Sequence, residues 1–289
     1  MLWQGRRESS NVDDRRGMSG GKLVAGGGII GVIALVLNFL LGGGDGGSEL
    51  PQLPAQTQTE QLSPQEQAAD DQRAKFVKVV LATTEDVWSE LLPQMGKSYP
   101  PPTLVLFRDV VESACGNASS ASGPFYCPGD RQLYIDLSFY EELQSRFHAP
   151  GEFAMAYVVA HEVGHHIQNL MGTADKMQRL QGRVSKEQYN QYSVRLELQA
   201  DFYAGVWANH AQKLQSQDGR NIINEADINE ALTAANAIGD DRLQKESQGY
   251  VVPESFTHGT SAQRMHWFKK GFETGDIAQG DTFSADDLQ

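Results

Sequence analysis

Two histidines and a glutamate in one short stretch have the types and spacing of a metal-dependent hydrolytic site. Residues 161–165 read His161-Glu162-Val-Gly-His165. Residues four apart lie on one face of a helix, so both imidazoles can bind the same ion. Zinc is commonly bound by imidazole nitrogen, and a catalytic site keeps one position open for water. Glu162 is then placed beside the ion, where its carboxylate can take a proton from that water.

A catalytic zinc site uses three protein ligands, and the third is expected on a later helix. Residues 193–207 have the apolar spacing of a helix, on which Glu197 and Asp201 share one face. We expect Glu197 to complete the ligand set. We expect Asp201 to accept the free N–H of a ligand histidine and fix its tautomer. The alternative is a solvated acidic face.

Further polar residues precede another predicted helix. Thr260 or Ser261 can cap this helix, and His258 lies just before it, in a turn where its side chain can face a cleft. Arg264, in the same helix, is placed to brace His258 or to bind an anion. The alternative for His258 is an exposed turn position.

The elements that must position these residues are mostly helical. The largely apolar segment 153–171 predicts a buried helix that carries the histidines and ends at Gly172. Residues 103–107 and 132–137 predict strands. The second of these strands either lies at the edge of a sheet, where it pairs with an extended peptide, or only covers the core. The predicted class is α+β, predominantly helical.

The N-terminal part of the chain predicts a membrane anchor. Residues 23–41 carry no charge and nearly span a hydrocarbon core of about 30 Å, which predicts a transmembrane helix. Residues 1–22 are rich in arginine and are expected in the cytoplasm. Residues 42–71 have the composition of a flexible linker, and residues 72–289 form the folded domain outside. A cleaved signal peptide is the alternative to the anchor.

The two cysteines lie in the domain predicted to be outside. Cys115 and Cys127 bracket a loop rich in glycine and serine and do not form a Cys-x-x-Cys pair. In an oxidising compartment we expect a disulfide between them, which stabilises the fold by about 3 kcal/mol. The alternative is two buried thiols.

Overall charge bears on the class of partner. The formal net charge is −13, and lysine and arginine are not clustered in the body of the chain. Nucleic-acid binding depends on cationic contacts to phosphate, so a nucleic-acid partner is not expected.

Several motifs occur in the order typical of one family. The chain resembles the putative neutral zinc metallopeptidases of bacterial envelopes. The residues that carry this resemblance are Trp3-Gln-Gly-Arg-Arg-Glu-Ser9, Asn11-Val-Asp-Asp-Arg-Arg16, Gly123-Pro-Phe-Tyr-Cys-Pro128, Ala154-Met-Ala-Tyr-Val-Val-Ala-His-Glu-Val-Gly-His-His-Ile-Gln-Asn169, Glu197-Leu-Gln-Ala-Asp201 and His258-Gly-Thr-Ser-Ala-Gln-Arg264. The glutamate and Ala-Asp pattern also resembles the gluzincin membrane peptidases.

The resemblance implies a zincin-like metallopeptidase domain behind a single N-terminal transmembrane helix. The implied zinc ligands are His161, His165 and Glu197. The implied catalytic residues are Glu162 and His258, and Asp201 and Arg264 support them. In that family likeness the downstream histidine, His258, faces the transition state.

The implied function is a membrane-anchored, zinc-dependent endopeptidase that hydrolyses peptide bonds with a metal-bound water. Its partners would be a peptide or protein substrate and, through residues 23–41, the bacterial inner membrane, with the catalytic domain on the periplasmic side. Two alternatives are a non-catalytic envelope binding protein that zinc stabilises and a hydrolase of non-peptide substrates.

Overall fold

The computed structural model describes residues 1–17, 62–216 and 219–288. Over these ranges the chain is a mixture of helices and strands in which helix predominates, as the sequence predicted. The predicted transmembrane segment, residues 23–41, lies outside the described residues. Among the helices that are described, none has the length and apolar character needed to cross a membrane.

The described elements comprise eight helices and six strands. The helices are α1 (Pro64–Gln94), α2 (Phe139–Ser145), α3 (Glu152–Met171), α4 (Thr173–Leu180), α5 (Lys186–Ala211), α6 (Glu225–Ala237), α7 (Asp240–Gln248) and α8 (Ser261–Thr274). The strands are β1 (Val12–Asp14), β2 (Thr103–Phe107), β3 (Val110–Ser113), β4 (Gly116–Ser119), β5 (Phe125–Cys127) and β6 (Gln132–Asp136).

The main sheet has the strand order β1-β2-β6-β5, while β3 and β4 form a separate antiparallel hairpin. Within the main sheet β1, β2 and β6 run parallel, and β5 is antiparallel to β6. Of the two alternatives for residues 132–137, the edge position is therefore wrong and the strand that covers the core is the one observed, because β6 lies between β2 and β5. Leu133 and Ile135 are fully buried, which explains the interior position. The edge strand nearest to α3 is β5.

The core is formed largely by α3, α5 and α8. Helices α5 and α8 approach each other through Gly205 and Gly271. A Cβ atom on Gly205 would lie 2.0 Å from the carbonyl oxygen of Phe268, and one on Gly271 would lie 2.1 Å from that of Phe202. Only glycine allows this backbone distance, which brings α8 and the turn before it against α5.

Two polar segments of the chain are helical. Helix α1 begins at Pro64, where Ser63 and Glu66 form a capping box, so the predicted linker over residues 42–71 is wrong for its last eight residues. The polar composition suggested a linker, but Asp70 is buried and contacts two arginines. The polar segment after α3 likewise contains α4 and the first turn of α5.

The last residues that the structure describes also pack against the domain. Thr282 is fully buried, and its backbone carbonyl accepts a hydrogen bond from Arg195. The indole N–H of Trp267 donates to the carbonyl of Leu288 over 3.1 Å.

Residues 1–17, here called the N-terminal arm, pack against the body of the fold. Strand β1 of the arm joins the main sheet beside β2. The ring of Trp3 meets that of Phe76 edge-on, with centroids 5.5 Å apart, and its N–H donates to Glu152 over 2.9 Å. Glu152 opens α3, the helix that carries the histidines, so the arm braces the start of that helix.

Arginines of the arm pair with carboxylates. Arg7 contacts Glu85 at 2.8 Å and Asp86 at 2.7 Å on α1. Arg16 contacts Asp70 at 2.5 Å, also on α1. The same arginines had suggested a separate cytoplasmic segment over residues 1–22.

The packing of the arm contradicts that separation for residues 1–17. A chain that crossed a membrane once, within residues 23–41, would hold the arm and the domain on opposite sides. The contacts of β1, Trp3 and Arg7 could not then form.

Replacing Trp3 with alanine should destabilise the whole domain, because a buried ring and its hydrogen bond are lost together. We expect the free energy of unfolding, measured by urea denaturation of the purified protein, to fall by about 3 kcal/mol. Tyr250→Ala is the matched control, since Tyr250 is 62% exposed and its loss should cost no more than about 0.5 kcal/mol. Equal effects of the two substitutions would contradict the packed arm.

Candidate metal centre

Helix α3 places both histidines of the predicted motif at the edge of the core. The helix ends at Gly172, which adopts φ 83°, a left-handed conformation that suits glycine and closes the last turn. His161 and Glu162 are buried, and His165 is partly exposed. The rings of His161 and His165 are 4.8 Å apart and perpendicular, so both reach one point beside the helix.

The structure brings the three predicted ligands together. One carboxylate oxygen of Glu197 lies 3.1 Å from Nε2 of His161, and the other lies 3.5 Å from Nε2 of His165. One ligand atom from each residue falls within 4.8 Å of the other two. Among the described residues this is the one group of His, Cys, Asp and Glu side chains with that geometry.

A glycine between the histidines permits this arrangement. A Cβ atom on Gly164 would lie 2.8 Å from the carbonyl oxygen of Ala200, in α5. Any larger residue would therefore push α5 away from α3. The short distance between the two backbones lets the Glu197 side chain reach both imidazoles.

Asp201 and Arg264 form a support behind His161. Asp201 lies 2.8 Å from Nδ1 of His161, which directs the other ring nitrogen toward Glu197. Arg264 donates to both oxygens of Asp201, at 2.9 and 3.0 Å, and Tyr157 donates to the same carboxylate. We expected Arg264 to brace His258 or bind an anion, but its guanidinium instead contacts Asp201 and Tyr157.

His165 is oriented by a neighbour on its own helix. Gln168 places its side-chain oxygen 2.8 Å from Nδ1 of His165 and donates to the carbonyl of Leu196. The next residue, His166, points elsewhere: its ring nitrogens contact the Tyr126 hydroxyl and the Pro100 carbonyl. His166 is thus a packed histidine and is not part of the cluster.

The charges within the cluster stabilise one another. Burial alone would raise the pKa of Glu197, but His165, His258 and His161 hold it well below its usual value. Burial would likewise raise the pKa of Asp201, yet Arg264 and His161 lower it to about 2. Both carboxylates are therefore ionised and can accept hydrogen bonds or bind a cation.

The remaining carboxylate of the motif behaves differently. Burial raises the pKa of Glu162, and His165 and His161 offset this only in part. A carboxylate whose pKa moves toward neutrality suits a group that accepts and returns a proton. The backbone N–H of Tyr126, in β5, stabilises its charged form.

His258 lies in the turn before α8, as the sequence predicted. Its backbone N–H and those of Thr257 and Gly259 donate to Asp240, whose carboxylate also lies 3.4 Å from Nδ1 of the ring. Its Nε2 atom is buried without a hydrogen-bond partner. Burial would lower the pKa of His258, but Glu197 and Asp240 raise it, which favours the form that donates from Nε2.

These groups share one open cleft. Its empty volume, including the part open to solvent, is about 790 Å³. The candidate site residues that line it are Tyr157, His161, Glu162, Glu197, His258 and Arg264. Gly123 and Pro124, just before the edge strand β5, form another part of its wall.

Three supporting residues were missed in the sequence. Tyr157 is four residues before His161 and Gln168 three after His165, so helical spacing alone could have indicated both. Asp240 gives no comparable signal in the sequence. It lies at the start of α7 and contacts His258 only because the tertiary fold brings them together.

The chemistry of this cluster fits zinc. Two atoms bound tetrahedrally to one zinc ion at roughly 2.0–2.1 Å lie about 3.3 Å apart. Glu197 places one oxygen 3.1 Å from Nε2 of His161 and its other oxygen 3.5 Å from Nε2 of His165, so each contact is close to that separation. Two imidazoles and one carboxylate are a typical donor set for catalytic zinc, and each ligand histidine has a partner for its second nitrogen.

Removing the carboxylate should remove the metal. We expect Glu197→Gln to weaken zinc binding by at least about 100-fold, because the amide supplies no charge. Loss of a residue that only hydrogen-bonds to a zinc ligand already weakens zinc affinity about 10–100-fold. Competition with a chelating dye measures this affinity. Glu187→Gln is the matched control, since Glu187 lies exposed on the same helix. Unchanged zinc affinity in Glu197→Gln would contradict the ligand assignment.

Comparison with known proteins agrees with this site. Residues 1–283 match the family model described as putative neutral zinc metallopeptidase. The uncharacterized protein YpfJ of Escherichia coli strain K12 is 48% identical over 98% of this chain and 99% of its own length. The uncharacterized protein Rv2575 of Mycobacterium tuberculosis strain H37Rv is 42% identical over 86% of each chain. No solved structure matches. The chain belongs to the putative neutral zinc metallopeptidase family.

Proposed function

We propose that the protein is a zinc-dependent endopeptidase. The observation that carries this proposal is the open cleft lined by two of the three ligand residues, His161 and Glu197, together with Glu162 and His258, whose Nε2 has no partner. A site that only stabilised the fold would be closed, with all coordination positions filled by protein. The family description and the fit to zinc support the proposal.

The metal and Glu162 would begin the reaction. Zinc, when bound by His161, His165 and Glu197, supplies a Lewis acid that polarises the scissile carbonyl and makes water more acidic. Glu162 takes a proton from the attacking water and later delivers it to the leaving amine nitrogen. Burial raises its pKa, which suits a group that both accepts and returns a proton.

His258 would stabilise the negative charge that develops on the carbonyl oxygen. Its Nε2 is the free hydrogen-bonding atom of the ring, and Asp240 holds the turn that carries it. A donor fixed before the reaction costs no reorganisation when the charge forms. Asp201 and Arg264 act indirectly, by holding the His161 ring with Nε2 toward the metal position.

A polypeptide is the substrate that the surroundings favour. Strand β5 is an edge of the main sheet, and its residue Tyr126 places a backbone N–H beside Glu162. An extended peptide can add to such an edge through main-chain hydrogen bonds. Peptide pairing at a sheet edge, one of the two alternatives for residues 132–137, is therefore proposed for β5 instead.

We further propose that the domain works in an oxidising compartment outside the cytoplasm. The disulfide predicted between Cys115 and Cys127 is present, and cytosolic proteins rarely keep such bonds. Because the arm packs on the domain, both must lie on the same side of any membrane. A single crossing within residues 23–41 would separate the arm from the domain, so we propose instead that residues 1–17 are exported together with the domain.

Glu162→Gln should separate catalysis from metal binding. We expect kcat/KM for a cleaved peptide to fall by about 10²–10⁴-fold, because the amide cannot accept the proton, while zinc content stays at the wild-type value. Mass spectrometry of peptide digests and metal analysis of the same samples measure both quantities.

Glu187→Gln serves again as the control and should keep full activity. Cleavage by Glu162→Gln at the wild-type rate would overturn the proposed mechanism. A wild-type protein that binds zinc and cuts no peptide would favour the non-catalytic binding protein.

His258→Ala should lower kcat by about 10²–10³-fold with little change in KM, since the lost donor acts on charge that appears only in the transition state. Zinc content should not change. His266→Ala is the control, because His266 is exposed on α8. A rise in KM at constant kcat would instead mean that His258 binds the ground-state substrate.

A further inference from the structure

Apolar side chains line part of the cleft that also contains the charged metal centre. Here called the apolar wall, they are Phe139, Phe147, Val158, Ile238 and Leu243. Val158 lies one turn before Glu162 on α3, so the wall begins directly beside the reacting groups. Ligand sites commonly combine an apolar surface with a few placed polar groups in this way.

Two aromatic rings dominate the apolar wall. The rings of Phe139 and Phe147 are 6.0 Å apart and inclined by 50°, so they contact each other. Phe139 is nearly buried, whereas Phe147 is only partly buried and exposes part of its ring. An apolar ring exposed at a concave surface is stabilised when another apolar group covers it.

The chain after α2 holds Phe147 in position. Its backbone N–H donates to the carbonyl of Glu142 over 3.0 Å, and the N–H of Ala149 donates to that of Leu143 over 2.8 Å. Between them His148 adopts φ 50°, an uncommon value for a residue other than glycine. The guanidinium of Arg146 lies 5.2 Å from the centre of the Phe147 ring. The backbone that carries the exposed ring is thus held in place.

The charged residues next to Phe147 do not favour a charged ligand. Glu142 and Arg146 both line the cleft, and their charged groups lie 3.7 Å apart. They largely neutralise each other, so a charged side chain would find no unpaired partner among them. Binding beside Phe147 therefore depends on apolar contact with the apolar wall.

We propose that the apolar wall binds a large apolar side chain, aromatic or long aliphatic, of the substrate residue next to the cleaved bond. This inference rests on the proposed peptidase function and names the class of peptide bond that the enzyme selects. Phe147 is the main specificity-determining residue, because it combines exposure with a fixed position.

The test compares peptides that differ only at one residue beside the cleaved bond. The zinc-loaded full chain first cuts a peptide library, which identifies the preferred position. Values of kcat/KM are then measured for phenylalanine, leucine, alanine and aspartate there. We expect wild type to prefer phenylalanine or leucine over alanine by about 10–100-fold. Phe147→Ala should reduce this preference by about tenfold, and Phe147→Leu should reduce it less.

Tyr250→Ala is the control for loss of an exposed aromatic ring outside the cleft and should keep the wild-type preference. Zinc content and the urea midpoint check that Phe147→Ala is folded. Equal kcat/KM for all four peptides in wild type, or an unchanged preference in folded Phe147→Ala, would overturn the inference while leaving the peptidase proposal intact.

A binding measurement separates the two proposals. The zinc-loaded Glu162→Gln protein should bind the phenylalanine peptide more tightly than the alanine peptide, and Phe147→Ala in that background should remove the difference. If wild type cuts no peptide at all, the proposed function fails, and this binding difference still decides whether the wall selects apolar side chains. Equal binding of the two peptides would overturn it.

Discussion

The close approach of α3 and α5 is the constraint on which the candidate site depends. Gly164 faces the Ala200 carbonyl at a distance that leaves no room for a Cβ atom. At this spacing the Glu197 carboxylate lies within reach of both histidines. The helix spacing brings the histidines together, but only the interhelical distance adds the third ligand. The metal centre is therefore a property of helix packing as much as of the motif.

Burying several charges in one place requires that each be balanced. Removing an ion from water costs several kcal/mol, and attraction to a partner repays this only with good geometry and further hydrogen bonds. Arg264 supplies such a partner for Asp201, with two hydrogen bonds of ordinary length. Burial would lower the pKa of His161, but Asp201 and Glu197 raise it to about 10, so this imidazole carries a proton that balances the two carboxylates. Zinc would replace that proton, so metal binding and proton release are coupled.

The sequence predicted the ligand cluster better than the architecture around it. Helical spacing, which is a local property, pairs His161 with His165 and Glu197 with Asp201, and the three-ligand rule for catalytic zinc then predicts that Glu197 joins the histidines. The interior position of β6 and the Asp240 contact to His258 depend on tertiary pairing, which one sequence does not reveal. The capping box at Ser63 was readable, but the polar residues after it obscured the start of α1.

Sequence composition was the least reliable guide to structure at the N-terminus. Arg7 and Arg16 of the arm gave no sign in the sequence of a structural role, because their carboxylate partners lie far along the chain, on α1. A basic segment before an apolar one resembles a membrane anchor whether or not it also packs on the domain. The arm links Trp3 to Glu152 at the start of α3, so the site helix is supported from its own N-terminal end.

The central claim is that two imidazoles and one carboxylate hold a single zinc ion with one position left open. Zinc-edge X-ray absorption of the purified, zinc-loaded protein tests it directly. The account predicts one zinc per chain with only nitrogen and oxygen neighbours at roughly 2.0–2.2 Å, two of the nitrogens showing the outer-shell scattering of imidazole. Sulfur at roughly 2.3 Å, or a single imidazole, would contradict it.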